Sequence, residues 1–223
     1  LGDIGKGAPR DGQCTGERYI RAAISVLLRF FIVLGQFSVI SRFRIGVSNS
    51  EENKMGEFNQ EQTTVLSSFV EPDRFSTGIS NRELHIHDIS SHVGTLPAGI
   101  IWPLSTEEVS RILAWTYSQE IPVTPWGAGT STEGNPVPTR GGLVMDFTRM
   151  NKILAIRPQD LQTDVQPGVL RKELNRQTGR YGLFFPVDPG ADASIGGMIA
   201  NNASGVQTIK YGATRVTETC TSS

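Results

Sequence analysis

Backbone amides and small hydroxyls, rather than charged side chains, are the groups in this sequence best suited to chemistry. Thirteen of its 24 glycines fall between Gly127 and Gly212, so a ligand-binding backbone is to be sought there. The first cluster reads Thr124-Pro125-Trp126-Gly127-Ala128-Gly129-Thr130-Ser131-Thr132-Glu133-Gly134-Asn135-Pro136. Gly127, Gly129 and Gly134 permit positive φ, which lets successive N–H groups converge on an anion. Thr130 and Ser131 add hydroxyl donors and Asn135 an amide. None is charged, which suits a pyrophosphate held by backbone dipoles.

Two familiar phosphate sites are excluded. The Rossmann fingerprint needs a third glycine where Thr132 stands, and a helix that Pro136 and Pro138 forbid. The P-loop of nucleotide hydrolases needs Lys and then Ser or Thr where Asn135-Pro136 stand. Taken alone, the loop is equally readable as a plain surface turn.

A second cluster, residues 185–205, packs Pro186, Pro189 and four glycines (Gly190, Gly196, Gly197, Gly205) among small residues. Ser194 can cap a short helix across 196–199. Two adjacent glycines inside it cost ~1 kcal/mol each. Close approach of a bulky planar group to the backbone accounts for them, and helix-on-strand packing is the alternative.

The three histidines lie together in His85-Ile86-His87-Asp88-Ile89-Ser90-Ser91-His92. On a strand His85 and His87 would share one face, with Asp88 on the other. No dedicated third ligand is at hand, so no metal site is expected. They are read as surface or site-rim residues, and no catalytic base is assigned.

The elements that must carry these loops are legible from about Ala98. Ala98–Trp102 is a short apolar run ended by Pro103, hence a strand. Ser105 and Glu108 form a capping-box pattern, and Val109, Ile112, Leu113 and Thr116 recur at helical spacing, which predicts a helix over 106–119. Residues 121–125 are extended because two prolines bar a helix. Strands are expected at 143–147, 153–156 and 163–166, and a helix over 170–178. The order is that of an α/β or α+β chain with several short strands.

Composition narrows the class. The 223 residues carry 21 basic and 22 acidic side chains, a net charge of -1, which gives nucleic acid no general electrostatic grip. Cys14 and Cys220 cannot build a disulfide scaffold or a four-cysteine zinc site. Residues 1–54 stand apart. Arg18, Arg21, Arg29, Arg42 and Arg44 occur without an acid between 18 and 50, around a largely apolar run from Ala22 to Ile40. A membrane anchor, a transit peptide and a non-native extension before a start at Met55 are the open readings. The compartment stays open with them: cytoplasm, membrane periphery or mitochondrion. Residues 55–95 form a polar lead-in, and 96–223 the domain proper.

Several motifs in order make the sequence resemble a family. They are Pro-Trp-Gly-Ala-Gly-Thr-Ser-Thr-Glu-Gly-Asn at 125–135, Gly-Gly-Leu-Val-Met-Asp-Phe-Thr-Arg-Met-Asn-Lys-Ile at 141–153, and Val-Gln-Pro-Gly-Val at 165–169. Gly-Leu-Phe-Phe-Pro-Val-Asp-Pro-Gly at 182–190, Ser-Ile-Gly-Gly-Met-Ile-Ala-Asn-Asn-Ala-Ser-Gly at 194–205 and Lys-Tyr-Gly-Ala-Thr-Arg at 210–215 follow. From about Phe75 to Arg215 the chain resembles the flavin-binding domain of the vanillyl-alcohol oxidase and p-cresol methylhydroxylase superfamily. Within it, the sequence looks most like the branch of D-lactate dehydrogenase and the glycolate oxidase flavoprotein subunit.

The resemblance implies an α+β fold of two small α/β subdomains, incomplete at the C-terminus, that binds FAD. The pyrophosphate would lie on Trp126, Gly127, Ala128, Gly129, Thr130 and Ser131, with Gly134 and Asn135 beside it. Pro189, Ser194, Gly196, Gly197, Asn202 and Gly205 would line the flavin. Relatives that attach FAD covalently use a histidine in the first loop; this loop has none, so non-covalent FAD is expected. The implied reaction is oxidation of a D-2-hydroxy acid by hydride transfer to FAD, with a quinone, a cytochrome or an electron-transfer protein as acceptor. The family's cap domain and its His-x-Gly-Asp-Gly-Asn-type motif do not follow Arg215. A non-catalytic FAD-binding fragment or assembly module is therefore the alternative, and the reading frame beyond Ser223 discriminates the two.

Overall fold

The computed structural model describes residues 55–214. The segment 1–54, with its anchor, transit-peptide and extension readings, and both cysteines lie outside the described residues.

The lead-in is structured. Helix α1 (Gln60–Ser68) starts at Asn59, whose side chain accepts from Gln62 N–H while the Gln62 side chain accepts from Asn59 N–H, a complete capping box. A 3₁₀ turn at Pro72–Arg74 leads into strand β1 (Phe75–Ser76) and the short helix α2 (Ile79–Glu83). Then come strand β2 (Gly99–Ile101), helix α3 (Thr106–Ser118), strand β3 (Val123–Trp126) and strand β4 (Leu143–Asp146). The order across this sheet is β1-β2-β4-β3, with β1 antiparallel to β2 and the other pairs parallel.

Alternation along β2 and β4 builds a core on each face of that sheet. Ile101, Leu143 and Met145 pack with Leu66, Val109 and Ile112 from α1 and α3. Ile100 and Val144 point the other way, against Trp126 and Trp102. Because Leu66 and Val70 from the lead-in belong to the first core, the sheet depends on residues preceding the recognisable motifs.

Helix α3 has half of the anticipated capping box. Ser105 Oγ accepts from Glu108 N–H at 3.2 Å, but the Glu108 carboxylate is engaged elsewhere. It makes a two-pronged pair with the buried Arg74 (2.7 and 3.0 Å) and accepts from Leu104 N–H. A guanidinium fork competes successfully for a carboxylate within its reach.

The second unit contains the antiparallel pair β5 (Ile153–Arg157) and β6 (Gln162–Val165). Helices α4 (Arg171–Thr178), α5 (Ile195–Ala200) and α6 (Thr208–Tyr211) follow. Val165, Val169, Leu174, Phe185, Val187, Ile195 and Met198 form its core. The mixed helix and sheet fold, with its two units, is the α+β arrangement expected from the sequence.

Candidate functional site

A cavity of about 980 Å³ opens between the two units, and both glycine-rich loops line it. Of the residues singled out from sequence, Trp126, Gly127, Ala128, Gly129, Thr130, Ser131, Asn135, Pro189, Ser194, Gly196, Gly197 and Asn202 lie on its wall. Gly134 and Gly205 do not. Gly134 (φ +75°) sits behind the loop, where an added Cβ would meet His92. A Cβ on Gly205 would collide with the backbone carbonyl of Asp188, so close chain packing is what excludes a side chain there.

The first loop leaves β3 at Trp126 and turns at Gly129, whose φ is +65°. Among the described residues, the N–H groups from Ala128 to Thr132 have no acceptor in the chain. A run of such donors has to be satisfied by water or by a ligand. Among the described residues, the cavity wall contains no Lys, Arg, His or Cys; its charged members are Glu133 and Asp164. Asp164 is already paired with Arg157 at 2.7 and 3.0 Å. An anion bound here would be held by backbone dipoles and the Thr130 and Ser131 hydroxyls.

The second loop has the opposite character. At the start of α5, Ile195 N–H donates to Val169 O and Gly196 N–H to Pro167 O, both at 2.8 Å. Gly197 N–H donates to Ser194 Oγ and Met198 N–H to Ser194 O. These amides are consumed inside the protein. The first turn of α5 therefore offers shape rather than free donors. Its adjacent glycines also separate into two causes. A Cβ on Gly196 would lie 2.7 Å from Pro167 Cβ, so packing forbids it. Gly197 is exposed on the cavity wall, and its Cβ would meet only Ser194 Oγ, at 3.0 Å. Gly196 follows the packing explanation; Gly197 leaves room for a ligand.

The histidine segment forms no strand. His87 and His92 are exposed, whereas His85 is buried. His85 Nδ1 is within hydrogen-bond distance of Asn81 O (2.7 Å) and Nε2 of Asp146 Oδ2 (3.1 Å). Asp146 also accepts from Trp102 Nε1 (2.7 Å) and Thr148 N–H (2.8 Å). Burial opposes its charge, but the hydrogen bonds from His85 and Thr148 outweigh that and hold its carboxyl below the usual range. Reasoning from sequence passed over Asp146, because an acid at the end of an apolar strand carries no signal until its partners are known. Among the described residues, no three His, Cys, Asp or Glu side chains converge as a metal site would require.

Comparison with known proteins identifies the family. Residues 97–222 match a protein family described as FAD binding domain. The chain belongs to that family. D-lactate dehydrogenase [cytochrome], mitochondrial, of Arabidopsis thaliana is 34% identical over 174 residues, covering 76% of this chain and 31% of that protein. Glycolate oxidase subunit GlcD of Bacillus subtilis is 38% identical over 146 residues, covering 65% of this chain and 31% of that protein. Among solved structures, alkyldihydroxyacetonephosphate synthase superposes with a TM-score of 0.65 at 26% identity, over 75% of this chain and 33% of that one. The p-cresol methylhydroxylase structure (TM-score 0.50, 19% identity, covering 60% of this chain and 27% of that one) shares the fold. The chain thus spans about a third of the length of the curated relatives it matches. It is an FAD-binding domain of flavin oxidoreductases related to D-lactate dehydrogenase and glycolate oxidase.

The wall residues fit that cofactor. The run of free amides from Ala128 to Thr132 meets the demand of a pyrophosphate, and the bare backbone at Gly197 suits a planar ring.

Proposed function

We propose that this chain is the FAD-binding part of an oxidoreductase that oxidises a D-2-hydroxy acid of the D-lactate or glycolate type. FAD is held non-covalently. Quinone, cytochrome or an electron-transfer protein takes the electrons onward. The observation that carries the reading is that the unpaired amides from Ala128 to Thr132 and the bare backbone of Gly197 face one cavity.

When bound, FAD supplies the acceptor for the hydride leaving the substrate's α-carbon. The chain's own residues bind and orient. Ala128 to Thr132 would grip the pyrophosphate, Asn135 would close the loop's far side, and Gly197 and Asn202 would face the ring system. Non-covalent attachment is supported by the wall itself, which presents no His or Cys among the described residues. His92, the histidine beside the loop, packs on Gly134 and stays off that wall.

Denaturing an FAD-loaded sample in acid and filtering it tests the attachment. Flavin in the filtrate is expected, and flavin retained with protein contradicts it. Anaerobic addition of D-lactate or glycolate to the longest open reading frame containing this chain tests the chemistry. Bleaching of the flavin's visible band is expected, and an unchanged spectrum with both acids contradicts the substrate assignment.

A further inference from the structure

The cofactor loop is anchored at both ends by one short segment outside it. The segment follows α2 and runs from His85 to His92. At the loop's entry, Trp126 pairs in register with Asp146 across β3 and β4. His85 lies on both residues: Nε2 is 3.1 Å from Asp146 Oδ2, and the imidazole meets the Trp126 ring edge-on at 4.8 Å between centroids. At the exit, Asp88 Oδ2 accepts from Gly134 N–H at 3.0 Å, although 46 residues separate them in sequence. Asp88 Oδ1 accepts from Ser90 N–H, which fixes the carboxylate's direction. Between the two anchors, the amides from Ala128 to Thr132 have no acceptor among the described residues, so their direction depends on how the loop's ends are held.

We infer that His85 and Asp88 are positioning residues for FAD, acting through Trp126 and Gly134 to hold the loop's free amides toward the pyrophosphate. Neither side chain lines the cavity. They act on the ligand only through the loop. Fixing donors before binding spares the ordering cost that a slack loop would carry into the complex. The inference rests on the FAD-binding reading and adds to it the residues that set affinity. Those residues lie ahead of the matched family segment, which starts at 97.

Titration of the 223-residue chain with FAD, followed by flavin fluorescence, tests it on wild type, Asp88→Ala and His85→Phe. Loss of a charge-assisted anchor at either end is expected to weaken FAD binding about tenfold. The unfolding midpoint of the FAD-free Asp88→Ala chain should move by no more than about 4 °C, whereas His85→Phe also takes a hydrogen bond from the buried Asp146 and should lower it further. Asp88→Asn and His85→Gln each keep one hydrogen-bonding atom and should recover most of the lost affinity. Should Asp88→Ala or His85→Phe fail to fold, Asp88→Glu displaces the carboxylate by one methylene and His85→Asn withdraws the donor, with the same weakening expected. Variants that bind FAD as tightly as wild type overturn the inference. So does a loss of affinity that tracks the unfolding midpoint and is not recovered by the conservative variants. A folded wild-type chain that takes up no FAD refutes the proposed function itself, a result distinct from equal affinities.

Discussion

Gly127 abuts the hydroxyl of Ser194, so the two glycine-rich loops meet where one residue lacks a side chain and the other caps α5. The contact couples the cofactor loop to the helix on the opposite wall. It also explains why the glycine at 127 is required although its φ is not in the left-handed region.

Ser194→Ala should destabilise the chain by about 1 kcal/mol through loss of the α5 cap. Gly127→Ala pushes the hydroxyl off Gly197 N–H and should cost a similar amount. Because both act on one hydrogen bond, the double variant should cost little more than either alone. Urea unfolding of all four proteins measures the coupling, and full additivity would contradict it.

The neighbouring glycines of α5 should respond oppositely. Gly196→Ala drives a methyl into Pro167 and should lower stability, by about 1–3 kcal/mol as overpacking usually does. Gly197→Ala gains helix propensity worth up to ~1 kcal/mol and meets only the Ser194 hydroxyl. It should leave stability unchanged or raised while weakening FAD binding. Thermal unfolding and FAD titration on the two variants check the contrast.

Acid should unmask the Asp146 network. The folded-state pKa of Asp146 lies below its unfolded value, so its contribution is complete above the unfolded value near 4 and fades as pH falls through the folded one. Glu108 behaves alike, its carboxyl held low chiefly by the Arg74 hydrogen bond. Asp146→Asn should therefore be less stable than wild type by about 2 kcal/mol at pH 7, the scale of hydrogen bonds to a charged group. The gap should close below about pH 4. A gap that persists unchanged at pH 3 would contradict the assignment.

Much of the scaffold was legible because local pattern and tertiary outcome agree. The helix expected at 106–119 is α3 at Thr106–Ser118, and the strands expected at 143–147 and 153–156 are β4 and β5. Ser194 was readable as a cap because a small hydroxyl before an apolar turn has a local meaning. What stayed hidden depends on residues far apart in sequence. The Glu108 carboxylate turns to Arg74, 34 residues away, instead of closing its own capping box. His85 draws its meaning from Asp146, 61 residues on, so its burial could not be read from the histidine spacing. Helix α1 escaped notice because its surface is largely polar and Leu66 is its buried residue. Gly205 read as a cofactor contact because a glycine excluded by a neighbouring carbonyl looks, in sequence, like one excluded by a ligand.

The central claim is that FAD occupies the cavity between the loops, against the bare backbone of Gly197. FAD titration of the 223-residue chain alongside Gly197→Leu tests it most directly, with circular dichroism confirming that both are folded. Wild type should take up FAD to saturation, and Gly197→Leu, folded alike, essentially none. Equal uptake by the two would contradict it.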